Sequence, residues 1–385
     1  MPSYARVDVA FERGEGAWLF TSDGRRYLDF ASGIAVTALG HNHPHLVATL
    51  TQQAAKLWHC SNLFRIPEQE RLAHRLVANS FADTVFFCNS GAEAVEAGLK
   101  LVRKFHDENG NPDRYRFITF DGSFHGRTLA TISAATNPGH QKGFGPLVDG
   151  FDHVAFGNLN EVRNAITPET AAILVEPVQG EGGIRPGDAA FLKGLRETCD
   201  EFGLLLFVDE VQTGMGRTGR LFAYEWAGIT PDVMAVAKGL GGGFPVGACL
   251  ATERAAAGIT AGTHGSTFGG NPLAMACANA VLDVLLADGF LSHVRQTGEA
   301  LKGRLAELPK RWPKVIEAVR GVGLLLGLKC VMPAGDVVTA CREAGMLTVP
   351  AADNVVRLLP PLIIDQSHVD AAAAAIEQAC EALSA

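Results

Sequence analysis

At 385 residues the chain is too long for one ordinary domain and suits one large α/β unit with a smaller appendage. Its 47% hydrophobic and 19% charged residues supply a sizeable core and argue against disorder. A formal net charge of −8 argues against nucleic acid or an anionic membrane surface as a general partner, so any positive charge that matters is local.

The eight cysteines form no Cys-x-x-Cys pair, which points away from a zinc ribbon or dithiol motif and toward buried reduced thiols; no metal site is expected. The opening MPSYARVDVAFERGEG lacks the apolar core of a secretory signal. No stretch approaches the roughly 20 apolar residues of a membrane span, so a soluble, cytoplasmic protein is expected.

Residues 17–30, AWLFTSDGRRYLDF, read as a β-hairpin turning at Ser22-Asp23-Gly24. Short, almost uniformly apolar runs follow at 84–88, 116–120, 153–156, 171–175, 204–208, 233–237 and 247–251. Long connections separate them, with helices expected over 93–106, 189–201 and 272–287. That is the pattern of strands buried on both faces of a mostly parallel sheet covered by helices. Beyond Ala287 a helix to Leu308 leads to strands at 323–330 and 354–359 and a last helix from Ser367. The expected architecture is α/β. A large domain over 46–286 would hold a mostly parallel seven-stranded sheet, and 1–45 with 287–385 would build a smaller α+β domain from both termini.

Six segments carry candidate chemistry. In FFCNSGAEAVEAGLK, Ser90 can cap a helix with Glu93 three residues on. Alternatively Ser90, Gly91 and the free amide of Ala92 bind a phosphate at the positive helix end. In FDGSFHGRTLAT, Phe124 can stack on a planar ring and Arg127 can clamp a carboxylate, while a lone loop histidine such as His125 is more often structural. VEPVQGEGG places Glu181 in a glycine-rich loop, and GSTFGGNPL places Thr267 in a polar turn. GLLLFVDEVQTGMGRTGR puts Asp209 and Glu210 at the carboxyl end of a buried strand, where open α/β sheets bind ligands. They could serve a metal, an acid/base pair or a protonated heterocyclic nitrogen, or be solvated loop acids. The following GMGRTG matches a dinucleotide fingerprint but neither follows its strand directly nor opens an apolar helix. Finally, PDVMAVAKGLGGGFPVG ends a buried strand on Lys238 beside flexible backbone. That lysine either reaches solvent or, desolvated, serves as a Schiff-base nucleophile.

Together, in this order and spacing, the segments resemble the class III (subgroup II) aminotransferases of fold type I. The resemblance runs from ASGIAVTALGHNHP to VVRLLPPLII, and its most specific stretch is DEVQTGMGRTG followed by Lys238. Within that family HCSNLFRIPEQERLA, NSGAEA and HGSTFGGNPLA are most similar to the branch acting on N-acetylornithine. The resemblance implies pyridoxal 5′-phosphate (PLP) bound to Lys238 as a Schiff base, with Lys238 as the proton shuttle. Asp209 would pair with the pyridinium nitrogen, Gln212 would bond near the phenolic oxygen, and Phe124 and Val211 would pack on the ring. Ser90, Gly91 and Ala92 would hold the phosphate, joined by Thr267 from a second subunit, which implies a homodimer with shared active sites.

The family pattern also implies the substrates. Arg127 would bind the α-carboxylate of N-acetylornithine. Arg357 would bind the α-carboxylate of 2-oxoglutarate, with Glu181 pairing with Arg357 in the other half-reaction, and Ser266 would lie at the substrate. Arg65, Thr37 and Asn42 depart from the residues common in that branch and bear on the acyl group, not on the reaction type. The alternatives are transaminases of succinylornithine, ornithine, diaminopimelate or 4-aminobutyrate. More remote are an NAD-dependent oxidoreductase and a non-catalytic PLP-binding protein.

Overall fold

The computed structural model describes residues 1–384. Its central sheet has seven strands in the order Thr84–Cys88, Gly247–Ala251, Val233–Val236, Leu205–Asp209, Thr170–Val175, Arg116–Phe120 and Phe151–Val154. Only Gly247–Ala251 runs against its neighbours; the other contacts are parallel. The inner strands are buried at every residue, which is why they read as unbroken apolar runs in place of alternating ones. The carboxyl ends of the parallel strands share one edge, and the loops after Cys88, Phe120, Val175, Asp209 and Val236 leave from it.

The helix Gly91–Glu108 turns Ala94, Val95, Gly98, Leu101 and Val102 inward at the spacing of one helical face. Gly98 is required by close approach, since a Cβ there would overlap the ring of Phe207 on the sheet. This contact fixes how near the helix lies and hence where its amino end, beside Ser90, meets the sheet edge. Pro272–Leu285 is buried along most of its length, packed against Pro44–Ala54 and Pro67–Ala78, two helices that periodicity did not single out.

Both ends of the chain contribute to one four-stranded sheet, in which Phe11–Glu15, Trp18–Thr21 and Arg26–Asp29 are joined by Met346–Leu347. The hairpin turns where expected, with Gly24 at φ +87°. A third sheet is ordered Ile316–Val322, Leu325–Cys330, Val355–Leu358 and Val349–Ala351, and Arg357 sits on its Val355–Leu358 strand.

Two expected strands are shifted. The run at 153–156 pairs only as Phe151–Val154, because the Ala155 N–H donates to Glu161 Oε2 (2.8 Å) instead of continuing the ladder. The strand expected from 323 starts at Leu325, because Gly323, at φ +58°, turns the chain back from the unanticipated Ile316–Val322. Among the described residues no single helix is long and apolar enough to cross a membrane.

Gly98→Ala should overpack the helix–sheet contact and cost about 1–3 kcal/mol. A lowered midpoint in urea with an unchanged slope is the expected result, and an unchanged midpoint would show that the contact can give way.

Candidate active site

The buried strand Val233–Val236 delivers the chain to Lys238 in a short turn, Lys238–Leu240, with Lys238 itself at φ +45°. A lysine in that region is uncommon and costly, and such strain persists only where the surroundings enforce it. Its side chain is half-buried and lines a cavity of about 750 Å³ at the carboxyl edge of the sheet. Burial pulls its pKa down to about 8, against the pull of Asp209 and with the help of Arg357.

Asp209 ends its own strand in the same cavity, 4% exposed. Its Oδ2 lies 2.8 Å from His125 Nδ1 and its Oδ1 accepts from the Val211 N–H at 3.0 Å. Burial alone would push His125 down, but the hydrogen bond and charge of Asp209, with the charge of Glu176, hold its pKa above the ordinary value. The loop histidine is therefore part of the site, as the fixed partner of the carboxylate. Glu210, one residue on, points elsewhere: it accepts from Thr213 Oγ1 and from the Tyr224 N–H (2.8 Å), and burial pushes it up to about 7. Neither acid is a solvated loop residue.

The turn before Gly91–Glu108 realises the expected cap, with Ser90 Oγ accepting from the Glu93 N–H at 3.2 Å. Ser90, Gly91 and Ala92 also line the cavity, so capping and anion binding are compatible there. A Cβ on Gly91 would come within 2.7 Å of Val211 Cγ1. Only glycine lets the Val211 side chain pack this closely on the turn.

Arg357 is 2% exposed and its Nη2 donates to Glu181 Oε2 (2.7 Å) and to the Pro350 carbonyl (3.0 Å). Its Nε and Nη1 have no partner. Burial lowers its pKa, with Glu181 opposing. Arg127 is exposed at the cavity wall, its guanidinium 5.6 Å from the Phe124 ring centre.

Lys238, Asp209, Ser90, Gly91, Ala92, Phe124, Val211, Gln212, Arg127, Glu181 and Arg357 are thus brought together. Ser266 and Thr267 are not. Ser266 Oγ accepts from Asn89 Nδ2 (3.2 Å) on the far side of the turn, and Thr267 is exposed. Arg217 of GMGRTG is buried and donates to the carbonyls of Leu324 and Pro360; it ties this loop to the strand region bearing Arg357. Glu176 was missed. It lines the cavity, accepting from the Phe124 N–H (3.0 Å), and its only sequence signal was a carboxylate at a buried strand's end.

These residues fit PLP. The Ser90–Gly91–Ala92 turn lines the cavity at a helix amino end that suits a phosphate, and a carboxylate held by histidine lies in the same cavity as a lysine whose pKa burial lowers.

The chain matches the family described as "Aminotransferase class-III" over residues 2–380. It is 60% identical to the acetylornithine aminotransferase of Mesorhizobium japonicum, covering 95% of this chain and 92% of that protein. It is 59% identical to that of Brucella melitensis, covering 99% and 95%. Its fold is similar to the crystal structure of ornithine aminotransferase from Toxoplasma gondii (TM-score 0.95, 33% identity, covering 100% and 93%). It is also similar to N-acetylornithine aminotransferase from Stenotrophomonas maltophilia (TM-score 0.87, 39% identity, covering 99% and 97%).

Because Lys238 binds its proton more weakly folded (about 8) than unfolded (10.5), the native state holds fewer protons between those values, and stability rises with pH across that window. Below it the cost of a buried ammonium is fully present. Cofactor-free Lys238→Met should therefore be more stable than wild type at neutral pH by ~1–3 kcal/mol, with the gap closing as pH rises through the window. Urea unfolding at the two extremes checks this; a pH-independent gap would contradict it.

Proposed function

The chain belongs to the class-III aminotransferases, which are PLP-dependent, and from that premise we propose that it transfers the distal (δ) amino group of N-acetylornithine to 2-oxoglutarate. The products are N-acetylglutamate 5-semialdehyde and glutamate, a step of arginine biosynthesis. The observation that carries this reading is the buried Arg357 paired with Glu181 in the same cavity as an exposed Arg127. The similarity to acetylornithine aminotransferases at 59–60% identity supports the choice of donor.

The bound cofactor supplies the electron sink that acidifies the substrate carbon next to nitrogen. Lys238, brought toward neutrality by burial, would take the proton from that carbon and pass it to the cofactor's C4′ within the same half-reaction, and would carry a proton the opposite way, to the carbon of the incoming keto acid, in the second. Asp209, oriented by His125, keeps the ring nitrogen protonated. Ser90, Gly91 and Ala92 hold the phosphate at the helix end, Phe124 and Val211 give the ring apolar contact, and Gln212 donates near its phenolic oxygen.

Two arginines and one acid sort the substrates. With N-acetylornithine, Arg127 takes the single carboxylate and Arg357 stays neutralised by Glu181. With 2-oxoglutarate, its α-carboxylate replaces Glu181 on Arg357, meeting the unpaired Nε and Nη1, and Arg127 takes the far carboxylate. In neither state is a buried charge left alone. Ser266 and Thr267 lie outside the cavity within one chain. This placement is consistent with a homodimer in which Thr267 reaches the phosphate of the neighbouring subunit. The large unit over 46–286 binds the cofactor, and the enzyme works in the cytoplasm.

The test is kcat/KM for N-acetylornithine, succinylornithine, ornithine, diaminopimelate and 4-aminobutyrate as donors to 2-oxoglutarate. N-acetylornithine is expected to lead; a lead by ornithine or 4-aminobutyrate would overturn the choice of substrate. Arg357→Ala should lower kcat/KM for 2-oxoglutarate by about 100-fold, or ~3 kcal/mol, and the donor half-reaction by less than about tenfold. Lys238→Ala should abolish both transamination and the visible absorbance of the bound cofactor.

A further inference from the structure

Glu176 lines the cavity, yet the reaction above gives it nothing to do. It follows the strand Thr170–Val175 and is 6% exposed. Each of its oxygens accepts from a backbone N–H: Oε2 from Phe124 at 3.0 Å and Oε1 from Gly180 at 3.4 Å. The two amides belong to different loops. Phe124 precedes His125, which bonds Asp209, and Arg127 stands two residues further on. Gly180 precedes Glu181, which bonds Arg357.

We propose that Glu176 is a positioning residue, a two-ended clip that holds the Arg127 loop and the Glu181 loop in register and so sets the span a dicarboxylate must bridge between Arg127 and Arg357. This rests on the reading of those arginines as carboxylate anchors. The two loops are also in contact away from the cavity, where Gln179 Nε2 donates to the Asp121 carbonyl (2.9 Å) and a Cβ on Gly182 would run into the Gly122 carbonyl. Glu176 is the tie at the cavity end, next to the substrate.

The choice of a carboxylate follows from the donors. Both partners are N–H groups, and an ionised acid offers an acceptor at each oxygen, whereas a glutamine presents an NH₂ to one of them. His125 and Asp209 face the acid from neighbouring loops, and Lys238 and Arg357 face it across the cavity. Burial pushes Glu176 up to about 7 against the charge of His125, and Asp209 adds to the rise. A proton taken up there would turn one acceptor into a donor facing an N–H, so the clip should loosen as pH falls through that value.

Hydrogen exchange of the cofactor-loaded wild type and of Glu176→Gln, read by mass spectrometry on peptides covering 121–128 and 177–183, tests the clip. Steady-state KM for 2-oxoglutarate and for N-acetylornithine is measured beside it. The expected result is exchange about tenfold faster in both peptides and unchanged in peptides of the central sheet. The KM for 2-oxoglutarate should rise about tenfold and that for the monocarboxylate donor less than about threefold. Exchange altered in neither loop or in only one, or an equal rise in both KM values, would overturn the proposal. Should Glu176→Gln not fold, the wild type is compared about 1.5 pH units below and above 7, corrected for intrinsic exchange. Faster corrected exchange in both loops at the lower pH supports the clip, and equal rates sink it. Faster exchange in both loops of a protein that turns over neither substrate would leave the clip standing and overturn the substrate reading. Normal turnover with unaltered exchange would do the reverse.

Discussion

Glu176, His125, Asp209, Lys238 and Arg357 share one cavity at the carboxyl edge of the central sheet, and four of them are buried there: Glu176, His125, Asp209 and Arg357. Asp209 is held by His125, Arg357 by Glu181, and Glu176 by two backbone amides. Removing one partner of the Asp209–His125 or Arg357–Glu181 pair would leave the other charge uncompensated, which costs far more than the pair contributes. Lys238 is placed by the turn that follows its strand, and burial lowers its pKa to about 8. The inner strands beside it are almost wholly apolar, so the polar groups gather at their carboxyl ends.

The same constraint shapes the backbone. Charges that must converge need loops that approach one another closely, and glycine supplies the approach where a Cβ would not fit. Gly91 lets Val211 pack against its turn, and Gly98 lets its helix lie on Phe207. Lys238 takes a left-handed conformation that no local preference favours. The rigid sheet and the turn after it override that preference, so fold stability carries the local strain.

Much of this was legible from particular residues. The seven apolar runs, the cap at Ser90 and the convergence of Lys238 and Asp209 on one edge follow from strand burial and from where parallel sheets bind ligands. What was not legible has a common cause. The bond from Ala155 to Glu161, the turn at Gly323 and the role of Glu176 all depend on a partner far away in the chain or on the opposite face of a turn. Asp209 and Glu210 are adjacent acids with similar local signals, yet one enters the cavity and the other binds Tyr224.

The fold class and the run of sheet-forming segments along the chain were readable from hydrophobic periodicity and glycine placement. Local pattern left Lys238 open between solvent and the site, and the family resemblance supplied its proposed role. The Arg357–Glu181 pair was already implied by the family resemblance, whereas the bond of His125 to Asp209 and the hold of Glu176 on the amides of two loops became visible only in the folded chain. The reason is physical. Apolar burial is set by the residue and its immediate pattern, whereas the cost of a buried charge is set by the distance to a partner, which exists only after the chain has folded.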